Sequence, residues 1–247
     1  MVTMKVFTLT VWHAGCMSTL FVVATPIGNL GDLSERAARV LRDVPFVVSE
    51  VPRSTKVLLD HAGSSAKLVP FFAADKRPNV AQVLHGLARH DVALVSEAGT
   101  PGINDPGGAL VAAAREAGHT VVPIPGANAA VTAASVSGFP TDEFWFRGFV
   151  PHKKGRETFF REAAASESAV IFYESPHRIR KTLDALAGAV PDRYLCVARE
   201  LTKLHEQIAV DTAATIAAMP EDKLPSLGEF VLVLAPKDWK PQHERAQ

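Results

Sequence analysis

Asp91-Val92-Ala93-Leu94-Val95-Ser96-Glu97-Ala98-Gly99-Thr100-Pro101-Gly102-Ile103-Asn104-Asp105-Pro106-Gly107 passes from an apolar run into a loop dense in glycine and proline, and an alanine-rich stretch, residues 109–117, follows. Residues 92–95 read as a buried parallel strand, since a strand covered on both faces carries no polar alternation. A loop leaving the carboxyl end of such a strand is where α/β sheets place ligands. Its glycines let backbone N–H and C=O groups approach a ligand, and its prolines fix a path that no ladder holds. An ordinary strand-to-helix connection would need only a few residues. The stretch therefore predicts both an α/β fold and a ligand loop, one that also carries the carboxylates of Glu97 and Asp105.

The same rhythm of strand, loop and helix extends in both directions. Upstream, the apolar run 20–24 is broken by Thr25-Pro26-Ile27-Gly28-Asn29-Leu30. A helix follows with Leu33, Ala37, Val40, Leu41 and Val44 on one face and Glu35, Arg36 and Arg39 opposite. A strand at 46–48 ends at Ser49-Glu50, residues 54–61 read as a helix stopped by Gly63, and 67–70 could form a short strand. Val80, Val83, Leu84 and Leu87 recur at helical spacing. Downstream, a helix over 108–117 ends at Gly118, a strand covers 119–124, and Pro125-Gly126-Ala127-Asn128 opens an alanine-rich helix reaching Gly138.

Alternation of this kind predicts a mostly parallel sheet with helices on both faces. Beyond Pro140 the pattern restarts, with strands at 144–149, 169–173, 194–199, 207–210 and 230–234 and helices at 156–165, 177–187 and 212–218. The expected organisation is two α/β domains, 17–139 and 140–237, with a cleft between them. Residues 1–16 would be a loosely held extension and 238–247 a polar tail.

Composition narrows the function. Lys plus Arg and Asp plus Glu both number 26 in 247 residues, so any polyanion site must be a local patch. Cys16 and Cys196 form no framework, and the nine histidines make no His-x-x-x-His pattern, so neither disulfide nor metal is expected and a reducing cytoplasm suits the chain. No run approaches the roughly 18 apolar residues of a membrane span. Lys5 alone is a poor basic region for a signal peptide, and the useful fold is expected to begin near Met17.

Three glycine-proline loops, 25–30, 98–107 and 123–128, each follow a strand of the first domain, and a parallel sheet would bring them to one edge. None is a Gly-x-Gly-x-x-Gly run or a Walker loop, so dinucleotides and ATP lack their usual phosphate cradle. S-adenosylmethionine, held by backbone and an adenine slot, is the better match.

At these loops the chain resembles a known family. Val23-Ala24-Thr25-Pro26-Ile27-Gly28-Asn29-Leu30, Ala98-Gly99-Thr100-Pro101-Gly102-Ile103, Phe172-Tyr173-Glu174-Ser175-Pro176-His177-Arg178, Ala198-Arg199-Glu200-Leu201-Thr202-Lys203-Leu204-His205-Glu206 and Gly228-Glu229-Phe230-Val231 resemble, in order, the motifs of the tetrapyrrole methylase superfamily and its ribosomal small-subunit methyltransferase I branch. The resemblance runs from Leu20 to about Pro236. It implies a two-domain α/β homodimer with S-adenosylmethionine in the interdomain cleft, methylating the ribose 2'-hydroxyl of a cytidine in the decoding centre of 16S rRNA. It further implies that Pro26, Gly99, Thr100, Ile103, Asp105, Pro125, Gly126 and Ala129 contact or shape the cofactor site and that Tyr173 closes it. Glu97 and Asn104 would shape that site too.

The chain departs from the branch's usual pattern at four places. Glu50-Val51-Pro52-Arg53 stands for Glu-Asp-Thr-Arg, Glu97 for the Asp of Ser-Asp-Ala-Gly, and Ala127-Asn128 for the Pro-Ser of Pro-Gly-Pro-Ser. Phe71-Phe72-Ala73-Ala74-Asp75-Lys76-Arg77 replaces a stretch that bears His and Asn.

Methyl transfer from a sulfonium to a hydroxyl is an in-line displacement, so alignment supplies most of the rate and a group that removes the proton supplies more. Glu200 and Lys203 are the first candidates for the second role, with Glu50 behind them. Lys203 would act as a base only if burial or a cationic neighbour such as Arg199 lowered its pKa; otherwise Arg199, Glu200 and Lys203 form a supporting ion-pair network. Lys153, Lys154, Arg156, Arg178 and Arg199 are the candidates for RNA phosphates, while Arg180-Lys181 reads as a solvated helix face. Two other readings remain: a methyltransferase for a tetrapyrrole or other small substrate, and a non-catalytic RNA-binding paralogue.

Overall fold

The computed structural model describes residues 18–71, 77–105 and 107–241. The expected extension 1–16, most of the departure at 71–77 and the end of the tail lie outside the described residues. The chain forms two compact units, and they do not follow a single cut. One contains Glu35–Glu97 and Asp105–Ile124 with the strand before residue 24; the other gathers Ala24–Ser34, Ala98–Asn104 and the chain from Pro125 onward.

In the first unit, β1 (Thr19–Val23), β2 (Phe46–Ser49), β3 (Lys67–Pro70), β4 (Val92–Val95) and β5 (Thr120–Ile124) alternate with α1 (Glu35–Asp43), α2 (Pro52–Ala62), α3 (Arg77–Leu87) and α4 (Gly108–Glu116). The sheet runs β3-β2-β4-β1-β5, parallel throughout. All four residues of β4, at its centre, are buried, as an unbroken apolar run requires. Leu20, Val48, Leu87, Leu94 and Leu110 belong to one core cluster. Gly63 ends α2 in the left-handed region, with φ 68°, the stop its position predicts. β4, β1 and β5 are neighbours, so the chain leaves their carboxyl ends into segments that pack in the second unit.

In the second unit, α5 (Ala129–Ser137), β6 (Phe144–Phe149), α6 (Arg156–Ala165), β7 (Ala169–Glu174), α7 (Ile179–Ala189), β8 (Tyr194–Arg199), β9 (Gln207–Thr212), α8 (Ala213–Ala218) and β10 (Phe230–Leu234) build a sheet of order β6-β7-β10-β8-β9. Only β6 and β7 are parallel; β10 runs antiparallel to both neighbours, and β8 and β9 form a hairpin.

The strand period of two splits the core cleanly. Val170, Phe172, Leu195, Val197, Leu232 and Leu234 face one side with Phe159, Leu183 and Ile216 of α6, α7 and α8. Ala169, Ile171, Cys196, Ala198, Val231 and Val233 face the other with Ala130, Ala133 and Ala134 of α5. Burial pushes the Cys196 thiol up to about 12, leaving it inert. The buried Arg193 guanidinium donates to the carbonyls of Ala235, Ala163, Ala164 and Ser166 at 2.7, 3.1, 3.0 and 2.9 Å, closing the end of α6 and the exit of β10.

Candidate functional site

The second unit brings the three glycine-proline segments together. Thr25 and Gly99 form an antiparallel bridge, Thr25 N–H donating to Gly99 O at 2.9 Å and Gly99 N–H to Thr25 O at 3.1 Å. The Thr100 hydroxyl donates to Ala127 O at 3.1 Å. A Cβ on Gly126 would stand 3.0 Å from that of Ala24, so the Pro125-Gly126 turn lies against the first segment because it has no side chain there. Gly102 has open space around it and Ile103 is 44% exposed. No Lys or Arg occurs in 25–30, 98–104 or 125–128, so these segments offer polar backbone and the exposed Ile103 side chain and bring no side-chain cation.

Two of the expected site residues, Glu50 and Asp105, belong to the first unit. Burial raises the pKa of Asp105, a hydrogen bond with Ser96 opposes the rise, and the charges of Glu50 and Glu97 add to it. The three carboxylates form one acidic neighbourhood.

The connection between β8 and β9, residues 200–206, holds two non-glycine residues in the left-handed region, Glu200 with φ 51° and Thr202 with φ 65°. Such conformations cost on the order of 1–3 kcal/mol each and need surroundings that enforce them. Glu200 exchanges backbone hydrogen bonds with its neighbours: its N–H donates to Glu229 O at 2.9 Å, and its O accepts from Lys203 N–H at 3.0 Å. Its carboxylate accepts from Glu229 N–H at 2.9 Å, and Lys203 Nζ donates at 2.9 Å to both Glu200 and Glu229. Gly28 lies against this loop: a Cβ there would come within 2.5 Å of Lys203 Cγ, 2.8 Å of Thr202 Oγ1 and 2.9 Å of Leu201 O.

These contacts decide the protonation states. Burial works to lower the Lys203 ammonium, but the hydrogen bonds and charges of Glu229 and Glu200 outweigh it and the net shift is upward. Burial likewise works to raise Glu200, and Lys203, the Glu229 N–H and Arg199 drive it below the usual carboxylate range. The lowering that a lysine base needs does not occur, and Arg199 instead donates to Leu227 O at 2.5 Å and His205 O at 3.1 Å. Glu229 is quoted in a motif, but sequence reasoning misses its place in this array; Gly228 before it, with φ 92° and no room for a Cβ beside Glu200, is what lets it approach.

The basic candidates divide. Lys153 and Lys154 are exposed. Arg156 and Arg178 turn to Glu174, whose side chain is wholly buried: Arg178 meets it at 2.7 Å and Arg156 at 3.6 Å, and the Thr182 hydroxyl donates to it at 2.6 Å. Arg180, expected on a solvated face, bonds to Met219 O at 2.8 Å and to Leu224 O, and pairs with Glu221 at 3.0 Å. Tyr173 packs edge-on against Phe146 and Phe149, with centroids 5.2 and 5.4 Å apart.

The family model of the tetrapyrrole (corrin/porphyrin) methylases matches residues 19–217. Over 218 residues, 87% of this chain and 75% of the relative, the sequence is 41% identical to the ribosomal RNA small subunit methyltransferase I of Halalkalibacterium halodurans. Identity with the protein of the same name from Synechocystis sp. is 43% over 222 residues, 89% of this chain and 79% of that one. The chain belongs to the ribosomal RNA small subunit methyltransferase I family of tetrapyrrole methylases. The structure of the uroporphyrin-III C-methyltransferase from Thermus thermophilus complexed with S-adenyl homocysteine shares its fold, with a TM-score of 0.62 over 93% of this chain and 100% of that one, at 17% identity.

Within the small subunit methyltransferase I family, two of this chain's departures have a local account. Asn128 caps α5, its Oδ1 accepting from Ala130 and Val131 N–H at 3.1 and 3.3 Å, and so does the work of the usual serine. Pro52 opens α2, where a missing N–H is free of cost. Nothing in the structure explains Glu97.

Proposed function

We propose that the protein is a cytoplasmic homodimer that transfers a methyl group from S-adenosylmethionine to the ribose 2'-hydroxyl of a cytidine in the decoding centre of 16S rRNA. The observation that carries this reading is the 41–43% identity with ribosomal RNA small subunit methyltransferases I over nearly nine-tenths of the chain. Enzymes with tetrapyrrole substrates are alike in fold at far lower identity, 17% for the Thermus protein.

The residues suit this cofactor. In the second unit, segments bridged through Thr25 and Gly99 and without a side-chain cation suit a ligand held by backbone, and in the first unit the acidic neighbourhood of Glu50, Glu97 and Asp105 suits a positive charge. Bound, S-adenosylmethionine supplies an electrophilic methyl on a sulfonium. Pro26, Gly99, Thr100, Ile103, Pro125, Gly126 and Ala129 would hold it, with Asp105 toward its positive charge and Tyr173 closing over it.

Catalysis then rests on alignment more than on a strong base. Lys203 keeps its proton and Glu200 is a weak acceptor, so the pair would act as a fixed charge array that positions the acceptor hydroxyl. Glu50 is the remaining candidate to take the proton.

Unmodified small ribosomal subunits incubated with labelled S-adenosylmethionine test the reading. Ribose methylation of one cytidine is the expected product. Label confined to a base or to a small molecule would overturn it, and failure to bind S-adenosylmethionine in a calorimetric titration would favour a non-catalytic paralogue.

A further inference from the structure

β6 is one of the two edge strands of the second sheet and carries three exposed aromatic residues, Phe144, Trp145 and Phe149. The Trp145 ring is already covered by the Arg147 guanidinium at 3.9 Å, whereas Phe149 meets another ring. It is 52% exposed, yet its ring is restrained against Tyr173 at 5.4 Å and 65°, and the next residue anchors the turn through Val150 N–H to Tyr173 O at 3.2 Å. The residue before it, Gly148 with φ 62°, accommodates the Asn104 side chain where a Cβ would collide with Oδ1. Asn104, itself at φ 60°, ends the segment that carries Gly99, Thr100 and Ile103. A restrained, half-exposed ring thus follows directly on a residue, Gly148, that packs against the candidate cofactor loop.

The chain after this ring is cationic. Residues 150–156 contain no carboxylate, and Lys153 and Lys154 have no ion-pair partner among the described residues. Five residues span at most about 17 Å, so the ring and both lysines lie within the reach of a few consecutive nucleotides of a single strand. An open aromatic face beside unpaired cations is the chemistry that holds single-stranded RNA, bases by stacking and phosphates by charge.

We infer that Phe149 is the stacking platform for an unpaired base of the RNA substrate, with Lys153 and Lys154 holding the adjoining phosphates. This deepens the proposed rRNA reading and rests on it. Phe149 would restrain the base while its ribose is presented for methylation, making it a substrate-binding residue and a determinant of which nucleotide is accepted.

Steady-state methylation of unmodified small ribosomal subunits by the full chain separates the possibilities. Phe149→Ala is expected to raise KM for the subunit roughly ten- to hundredfold, with S-adenosylmethionine binding unchanged, and Phe149→Trp to restore it. Lys153→Gln with Lys154→Gln is expected to flatten the salt dependence of subunit binding, the log–log slope falling by about 0.7 for each phosphate no longer neutralised. Wild-type KM in Phe149→Ala overturns the inference, as does a loss of cofactor binding or a change confined to self-association in sedimentation. Wild-type protein that neither binds nor methylates the subunit overturns the rRNA reading as well, a result distinct from those.

Discussion

The buried Glu174 carboxylate meets the Arg178 guanidinium at 2.7 Å, four residues on, where β7 gives way to α7. Thr182 Oγ1 and the Ser175 N–H complete its coordination at 2.6 and 2.7 Å. Removing one partner of such a buried pair strands the other and costs about 3–5 kcal/mol. Glu174→Ala should therefore lower the urea midpoint strongly, while Arg178→Ala should weaken RNA binding no more than the stability loss explains. Selective loss of RNA affinity in a well-folded Arg178→Ala would return Arg178 to the phosphate contacts.

Gly28→Ala forces a methyl group against Lys203, Thr202 and the Leu201 carbonyl, a backbone atom that cannot swing away. Overpacking of this kind costs about 1–3 kcal/mol and here displaces the loop that carries Glu200. Turnover should fall together with the melting temperature. Gly86→Ala, in α3 with nothing within 4 Å, is the matched control and should be neutral or stabilise by about 0.5–1 kcal/mol.

Asp105 gives a pH signature. Its folded pKa is raised, mainly by burial and then by Glu50 and Glu97 against Ser96, so between its unfolded and folded values the native state holds more protons and stability falls as pH rises. Asp105→Asn should melt higher than wild type at neutral pH, with the gap closing as the pH drops below the ordinary carboxylate range. The same change should weaken binding of a cationic cofactor. A melting difference independent of pH would mean that the carboxyl carries no such penalty.

Lys203 moves the other way. A raised lysine contributes stability that is complete below its unfolded pKa and lost only as pH climbs through the folded value, so the Glu200–Lys203–Glu229 array stays intact through neutrality. The pH–rate profile should show no limb from Lys203 near neutral pH. Lys203→Ala should cost under about 1 kcal/mol of stability, because the array is partly exposed, but should depress kcat more than KM for the cofactor. Full turnover in a folded Lys203→Ala would remove it from the mechanism.

Much of the fold was legible in the residues. The apolar runs at 20–24 and 92–95 became β1 and β4, and Gly63, Gly118 and Gly138 close α2, α4 and α5 in or just past their last turn. Strand direction in the second sheet was harder, because a period of two is blind to it. The shortness of residues 200–206, too few for a parallel crossover of about a dozen, was the one available sign that β8 and β9 form a hairpin, and the sequence reading did not use it. The electrostatics were legible only in part: the Glu200–Lys203 ion pair was one of the two readings of that motif, while its third member was not foreseen. Whether Lys203 gains or loses its proton depends on Glu229, and whether Arg156 and Arg178 are free for phosphate depends on Glu174; both carboxylates stand in recognised motifs, but a motif does not say which side chain pairs with which.

The position of β10 has a consequence for synthesis. It fills the centre of the second sheet, between β7 and β8, yet among the described strands of that sheet it is the last to be synthesised. Until residue 234 has emerged, β7 and β8 each present an unpaired edge, and Leu232 and Val233 are missing from the two faces of the core. The parallel sheet has all five strands by residue 124 and can form early. A chain stopped before Phe230 would thus hold a complete first sheet and an open, adhesive second one, so that quality control of the second unit turns on β10.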